Sequence, residues 1–249
     1  MAEERVLPPV VARMWGRESV SRHGPRPSLD AARIIAAAIE IADTEGLPGV
    51  RMSSVASRVG VATMSLYRYV GSKEELLTAM ADAAVPDPPE LGGLSWRDYL
   101  ATWTRANRDS FLARPWMLLI ARLTPPMGPR SLRWLDRALA ALADTGLDAG
   151  ERINIASALG GYAISEATFV HGMSSGREIV GDAGVAGMAG YSRVLAEVVD
   201  PEGYPELFAA IHSNAFGDAA EWVDDDDFTF GLDLLLDGVE TLIARRTTA

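Results

Sequence analysis

Between Arg51 and Lys73 the chain reads RMSSVASRVGVATMSLYRYVGSK. Two short runs of helical periodicity, Ser53–Val59 and Thr63–Val70, are separated only by Gly60 to Ala62. Val55, Val59, Val61, Leu66 and Val70 supply the apolar positions that hold these two pieces together and against a preceding helix. Ala56 is small where they cross, and Gly60 permits the sharp turn. Two short helices joined by a tight glycine turn predict a helix-turn-helix. Once the apolar positions are turned inward, the second piece presents Thr63, Met64, Tyr67 and Arg68, with Ser65 and Tyr69 at the edges. Such a helix can enter the major groove of DNA with its N-terminal residues at the base edges. The stretch carries Arg51, Arg58, Arg68 and Lys73 and no acid, which suits contact with phosphates.

The flanks extend the pattern. Upstream, Ser28 reads as an N-cap, followed by an apolar stripe of Ala31, Ile34, Ile35, Ala38, Ile41 and Ala42 that stops at Gly46. Downstream, Ser72-Lys73-Glu74-Glu75 is a capping box opening a helix through Ala84. Pro86, Pro88, Pro89, Gly92 and Gly93 then mark a linker. Beyond it, helices are expected over Ser95–Arg114, Pro115–Leu123, Ser131–Ala143, Ala149–Met173, Ala183–Val199, Tyr204–His212 and Asp225–Arg246. No alternating strand pattern of useful length occurs, so the expected class is all-α. The expected organisation is a flexible basic arm (1–27), a three-helix helix-turn-helix domain (28–85) and a larger helical domain (95–249). In the arm, Arg17, Arg22 and Arg26 either reach the minor groove or form a solvated tail.

Composition first argues the other way. The 249 residues carry a net charge of -11, a balance that disfavours a nucleic-acid partner. The charge is segregated, however: residues 1–85 are neutral overall and the whole acidic excess lies beyond Val85. The absence of cysteine excludes disulfides, thiol catalysis and Cys-ligated metal. No signal-like N-terminus and no apolar run of membrane length appear, so a soluble, cytoplasmic protein without membrane contact is expected. No HExxH, P-loop or GxSxG pattern is present, and the three histidines, His23, His171 and His212, form no recognisable metal pair. Neither enzyme activity, cofactor nor metal is expected. The competing reading is a helical protein-interaction module without DNA binding.

The run IIAAAIEIADTEGLPGVRMSSVASRVGVATMSLYRYVGSKEELLTAM, ending at Met80, resembles the DNA-binding domain of the TetR family of bacterial transcriptional regulators. The rest resembles a tetracycline-repressor-like C-terminal domain in layout, chiefly through Phe230-Gly231-Leu232-Asp233 and Leu236-Asp237-Gly238. The resemblance implies a repressor that binds a palindromic operator as a homodimer and is released by a small molecule shifting the Ser72–Ala84 helix. It assigns effector binding and dimerisation to the larger helical domain (95–249). It places Thr63, Met64 and Tyr67 against bases or the adjoining backbone, and Tyr69 and Lys73 against phosphates. Tyr67 has a second possible role, packing between helices. Ser53 stands where tetracycline repressor reads a base with arginine; serine cannot make that bidentate contact, so the operator must differ there.

The dimer surface is expected on the Ala149–Met173 and Asp225–Arg246 helices. The first offers the small residues Ala156, Gly160, Gly161 and Ala163; the second repeats Phe230, Leu234, Leu235, Val239, Leu242 and Ile243. These stripes suit an intramolecular core as well. Trp103, Trp116, Met117, Trp134, Tyr162 and Met173 are candidates to line an effector pocket, with Glu166, His171 and Arg122 to orient the ligand.

Overall fold

The computed structural model describes residues 7–17, 30–121, 125–175, 187–213 and 226–247. Every regular element among the described residues is an α-helix. In chain order these are α1 (Pro9–Met14), α2 (Ala31–Gly49), α3 (Met52–Val59), α4 (Thr63–Val70), α5 (Lys73–Ala84), α6 (Trp96–Ala113), α7 (Trp116–Ala121), α8 (Pro129–Ala141) and α9 (Ala149–Ser175). Three more follow: α10 (Gly187–Val198), α11 (Pro205–His212) and α12 (Asp226–Thr247). The chain divides into two compact units, one ending at Ser157 and the other beginning at Ala158.

In the first unit, α2 buries Ile34, Ala37, Ala38, Ile41 and Ala42, the stripe expected from its periodicity with Ala37 added. Its cap is Asp30, whose carboxylate accepts the Arg33 N–H at 2.8 Å. The expected cap, Ser28, lies outside the described residues. Gly46 breaks the helix as expected, at φ 68°, after which the chain makes one more turn to Gly49. Helices α3 and α4 have eight residues each. Helices this short are marginal alone in water. They persist because Met52, Val55, Ala56 and Val59 on one and Leu66 and Val70 on the other are buried. Each fully buried aliphatic side chain contributes about 1.5–3 kcal/mol. Val61, expected among this set, is half-buried.

The first unit departs from the sequence reading in two places. Residues 9–14, expected to belong to a flexible arm, are helical, and α1 packs on α5. Pro9 at the first helical position explains why so short a segment starts there, since its missing N–H has no partner to lose. Packing also continues past the linker expected after residue 85. Asp43 in α2 accepts the indole N–H of Trp116 at 2.7 Å and the Nε–H of Arg114 at 3.2 Å. Trp103 and Trp134 pack with ring centroids 5.8 Å apart, joining α6 to α8.

In the second unit, Tyr162 of α9 stacks on Phe228 of α12 at 5.3 Å, and its hydroxyl donates to the Phe228 carbonyl at 2.9 Å. Leu159, Ala163, Ala167, Phe228, Leu232, Leu236 and Val239 are buried. Asp226 and Asp227 lie in the first turn of α12 and Arg245 and Arg246 in its last, both favourable to the helix dipole.

Candidate nucleic-acid interface

The turn between α3 and α4 fixes the presentation of α4. Gly60 takes the left-handed conformation (φ 77°, ψ 35°), and the Val61 N–H closes the end of α3 on the Ala56 carbonyl at 3.0 Å. A side chain at residue 60 would resist that backbone. With Leu66 and Val70 turned inward, the rotation of α4 about its axis is set. Met64 then stands 76% exposed, beside the exposed Tyr67 and Arg68. Thr63, Ser65 and Tyr69 are half-buried at the edges of this face. The Tyr67 ring is exposed rather than packed between helices. Ser53 is exposed in the first turn of α3, and Lys73, at the start of α5, is half-buried.

The charge around this face is available to a ligand. Among the described residues Arg51, Arg68 and Lys73 make no ion pair, whereas Arg58 is committed to Glu40 at 3.2 Å. Ser72 caps α5, its hydroxyl accepting the Glu75 N–H at 3.1 Å. The reciprocal half of the capping box is not made: the Ser72 N–H donates to the Val70 carbonyl at 2.8 Å, and the Glu75 carboxylate pairs with Arg13. Glu74 is held below the usual carboxylate range by its own backbone N–H first and the Ser72 hydroxyl second. The face therefore offers hydroxyls, one thioether, two phenols and three cations, a set suited to base edges and phosphates.

Sequence reasoning missed the residues that hold α5. Asp82, 7% exposed, sits in its last turn and accepts the Arg130 N–H (3.3 Å), the Ser131 N–H (2.9 Å) and the Ser131 hydroxyl (2.7 Å). It thus caps the N-terminus of α8. Arg130 reaches the Val85 carbonyl at 3.0 Å, and Trp134 donates its indole N–H to the Pro86 carbonyl at 2.7 Å. One signal was legible: an acid near a helix C-terminus opposes the dipole unless another group calls for it.

The candidate effector positions fall in both units. Trp103, Trp116, Met117 and Trp134 are buried in the first, where Trp103 donates to the Trp134 carbonyl at 3.0 Å. All three indole N–H groups are thus taken by protein acceptors. Tyr162 and Glu166 are half-buried and His171 exposed on α9 in the second unit, with Met173 half-buried near its end. Arg122 lies outside the described residues, as do the arm positions Arg22 and Arg26.

Two short helices set by a left-handed turn, the second presenting an acid-free face, define the reading head of a helix-turn-helix DNA-binding protein. Residues 34–80 match the model for bacterial regulatory proteins of the tetR family, and residues 88–243 match that for the tetracyclin repressor-like C-terminal domain. The HTH-type transcriptional repressor DrrR1 of Streptomyces coeruleorubidus is 31% identical over 94% of this chain and 85% of its own length. The TetR family protein ActR of Streptomyces coelicolor, solved in complex with (S)-DNPA, is 25% identical with a TM-score of 0.67, covering 86% of this chain and 98% of ActR. A second ActR structure, in complex with actinorhodin, also gives 25% and 0.67, over 85% and 95% of the two chains. The chain belongs to the TetR family of transcriptional regulators. Such regulators are not enzymes, and no described helix is long and apolar enough to cross a membrane.

Proposed function

We propose that this TetR-family regulator is a repressor that binds a palindromic operator as a homodimer in the cytoplasm and leaves it when a small molecule binds. The observation that carries the DNA-binding part is the outward face of α4: Met64, Tyr67 and Arg68 are exposed on a helix whose rotation is fixed by buried Leu66 and Val70. In this assignment Thr63, Met64, Ser65 and Tyr67 meet base edges and adjoining sugars. Arg68, Tyr69 and Lys73 meet phosphates, and Ser53 stands beside the groove. Repression is supported by the repressor relative, and a small-molecule trigger by the ligand-bound forms of ActR.

A two-fold dimer supplies two reading heads for half-sites about 34–36 Å apart, one turn of DNA. Its surface is proposed on α9 and α12. Phe230 is 69% and Leu234 60% exposed on the side of α12 away from buried Phe228, Leu232 and Leu236. On α9, Gly161 opens to free space. Val239, Ala156 and Ala163, which the sequence also offered for this surface, are buried within the chain, and Gly160, Leu235, Leu242 and Ile243 are half-buried. The trigger is proposed to act on the region matched by the C-terminal model and to move α5.

The direct test is selection of bound duplexes from a random DNA library by the full chain, followed by gel shift with actinorhodin as a first probe for release. Enrichment of a near-palindrome is the expected result. No enrichment, with no binding to any duplex at low salt, overturns the proposal in favour of a protein-interaction module.

A further inference from the structure

We infer that α1 is a positioning strap for the DNA-reading head, with Arg13 and Trp15 as its two fasteners; this rests on the DNA-binding assignment of α4 and α5. Arg13 pairs with Glu75 in the first turn of α5, both side chains largely shielded from water. The indole N–H of Trp15 donates to the Met127 carbonyl at 2.9 Å. Met127 immediately precedes Gly128, which itself precedes the first residue of α8. At the other end of α5, Asp82 caps that same start of α8 through the backbone of Arg130 and Ser131. The contact is close enough that a Cβ on Gly128 would lie 2.0 Å from the Asp82 carboxyl carbon.

These bonds close a ring: the start of α8, Trp15, Arg13, Glu75, the length of α5, Asp82, and the start of α8 again. A helix held at one end pivots, whereas one held at both ends against the same anchor keeps its tilt. Without α1, the first turn of α5 loses the Arg13 fastener, and that turn carries Lys73 and follows directly on Tyr69 to Ser72. The strap also occupies the phosphate-facing turn electrostatically. A Cβ at Gly71 would meet both the Glu75 carboxylate and an Arg13 guanidinium nitrogen, the latter at 3.0 Å, so Arg13 neutralises an acid lying against the α4–α5 turn. In this role Arg13 touches no DNA. Arg17, which lies over the Trp15 ring at 5.9 Å, belongs to the anchored end of the strap.

The sign of one substitution separates positioning from plain charge. Glu75→Gln removes a negative charge beside the candidate phosphate contacts, so electrostatics alone predicts tighter DNA binding. The strap predicts weaker binding, because the fastener is lost. The experiment measures affinity of the full chain for the duplex that wild-type protein selects from a random library, across several salt concentrations. Arg13→Gln, Glu75→Gln and Trp15→Phe are each expected to weaken binding about three- to tenfold, at most the tenfold step that ~1.4 kcal/mol represents. The Arg13→Gln/Glu75→Gln double variant is expected to be no weaker than either single, and the charge swap Arg13→Glu/Glu75→Arg to recover part of the loss. The slope of log affinity against log salt is expected to stay at the wild-type value for Trp15→Phe, since no phosphate contact is removed. Unchanged or tighter binding by Glu75→Gln, or losses that add in the double variant, overturns the strap. If the wild-type chain selects no duplex, it is the DNA-binding assignment that fails, so the two failures are distinguishable. Thermal melting of each variant keeps unfolding apart from loss of position.

Discussion

The reading head and the second unit bury their apolar residues in the same manner and differ in what they leave outside. On α4, burial of Leu66 and Val70 exposes a thioether, a phenol and a guanidinium; on α12, burial of Phe228, Leu232 and Leu236 exposes Phe230 and Leu234. The first surface is polar at its edges and belongs to a stretch, Arg51 to Lys73, that carries cations and no acid. The second is apolar, which suits burial against another protein surface. The partner of each region is therefore encoded by its outward positions, while the inward ones encode only the fold. That contrast also answers the net charge: a chain of -11 keeps its helix-turn-helix free of acids between Arg51 and Lys73.

Five tests break or sharpen this contrast. Leu66→Ala attacks an inward position and is expected to cost about 2–5 kcal/mol of stability, read by chemical denaturation. Paired Phe230→Asp and Leu234→Asp attack the outward face of α12; sedimentation should shift from dimer to monomer while helical content persists. A dimer that survives both charges places the interface elsewhere. Tyr67→Ala removes an outward contact of α4 and should weaken operator binding by about 1–3 kcal/mol, the range of one base contact, with the melting temperature retained. Lys73→Gln is expected to have a smaller effect, lowering the salt slope of binding by about one contact and weakening all sequences alike.

The smallest effect concerns pH. The folded Glu74 carboxyl titrates below its ordinary 4.5, so it favours the folded state above that value. This contribution is lost as pH falls through the lowered folded value. Glu74→Gln should therefore flatten the acid side of the stability profile slightly, and an unchanged profile would show that the cap does not discriminate the charged form.

What was legible in the sequence followed from periodicity and turn chemistry. Val55, Val59, Leu66 and Val70 were placed inward and Met64, Tyr67 and Arg68 outward by spacing alone, because two eight-residue helices with a glycine between them leave little choice of packing. The Ser72 cap was legible for the same reason. Arg13, Trp15, Asp43 and Asp82 were not, since their partners lie 48 or more residues away in sequence and no local pattern encodes such pairs. On α12 the period was legible but its phase was not: Phe230 and Leu234 share apolar character with Phe228, Leu232 and Leu236, and hydrophobicity alone cannot tell an intramolecular face from an exposed one. The tryptophans illustrate the opposite ambiguity. Trp103, Trp116 and Trp134 invite assignment to a ligand pocket, yet their N–H groups serve as ties between helices.

The cap that Asp82 places on α8 bears on how such regulators can be recombined. A chimera cut in the proline-rich segment after Val85, where the sequence suggests a seam, would graft a reading head whose last helix carries an acid meant for another helix's start. The recipient must supply a glycine equivalent to Gly128 and open amides equivalent to those of Arg130 and Ser131. Lacking them, it gains a buried carboxylate with no donor. The transferable module is accordingly discontinuous: the reading head together with the first turn of α8.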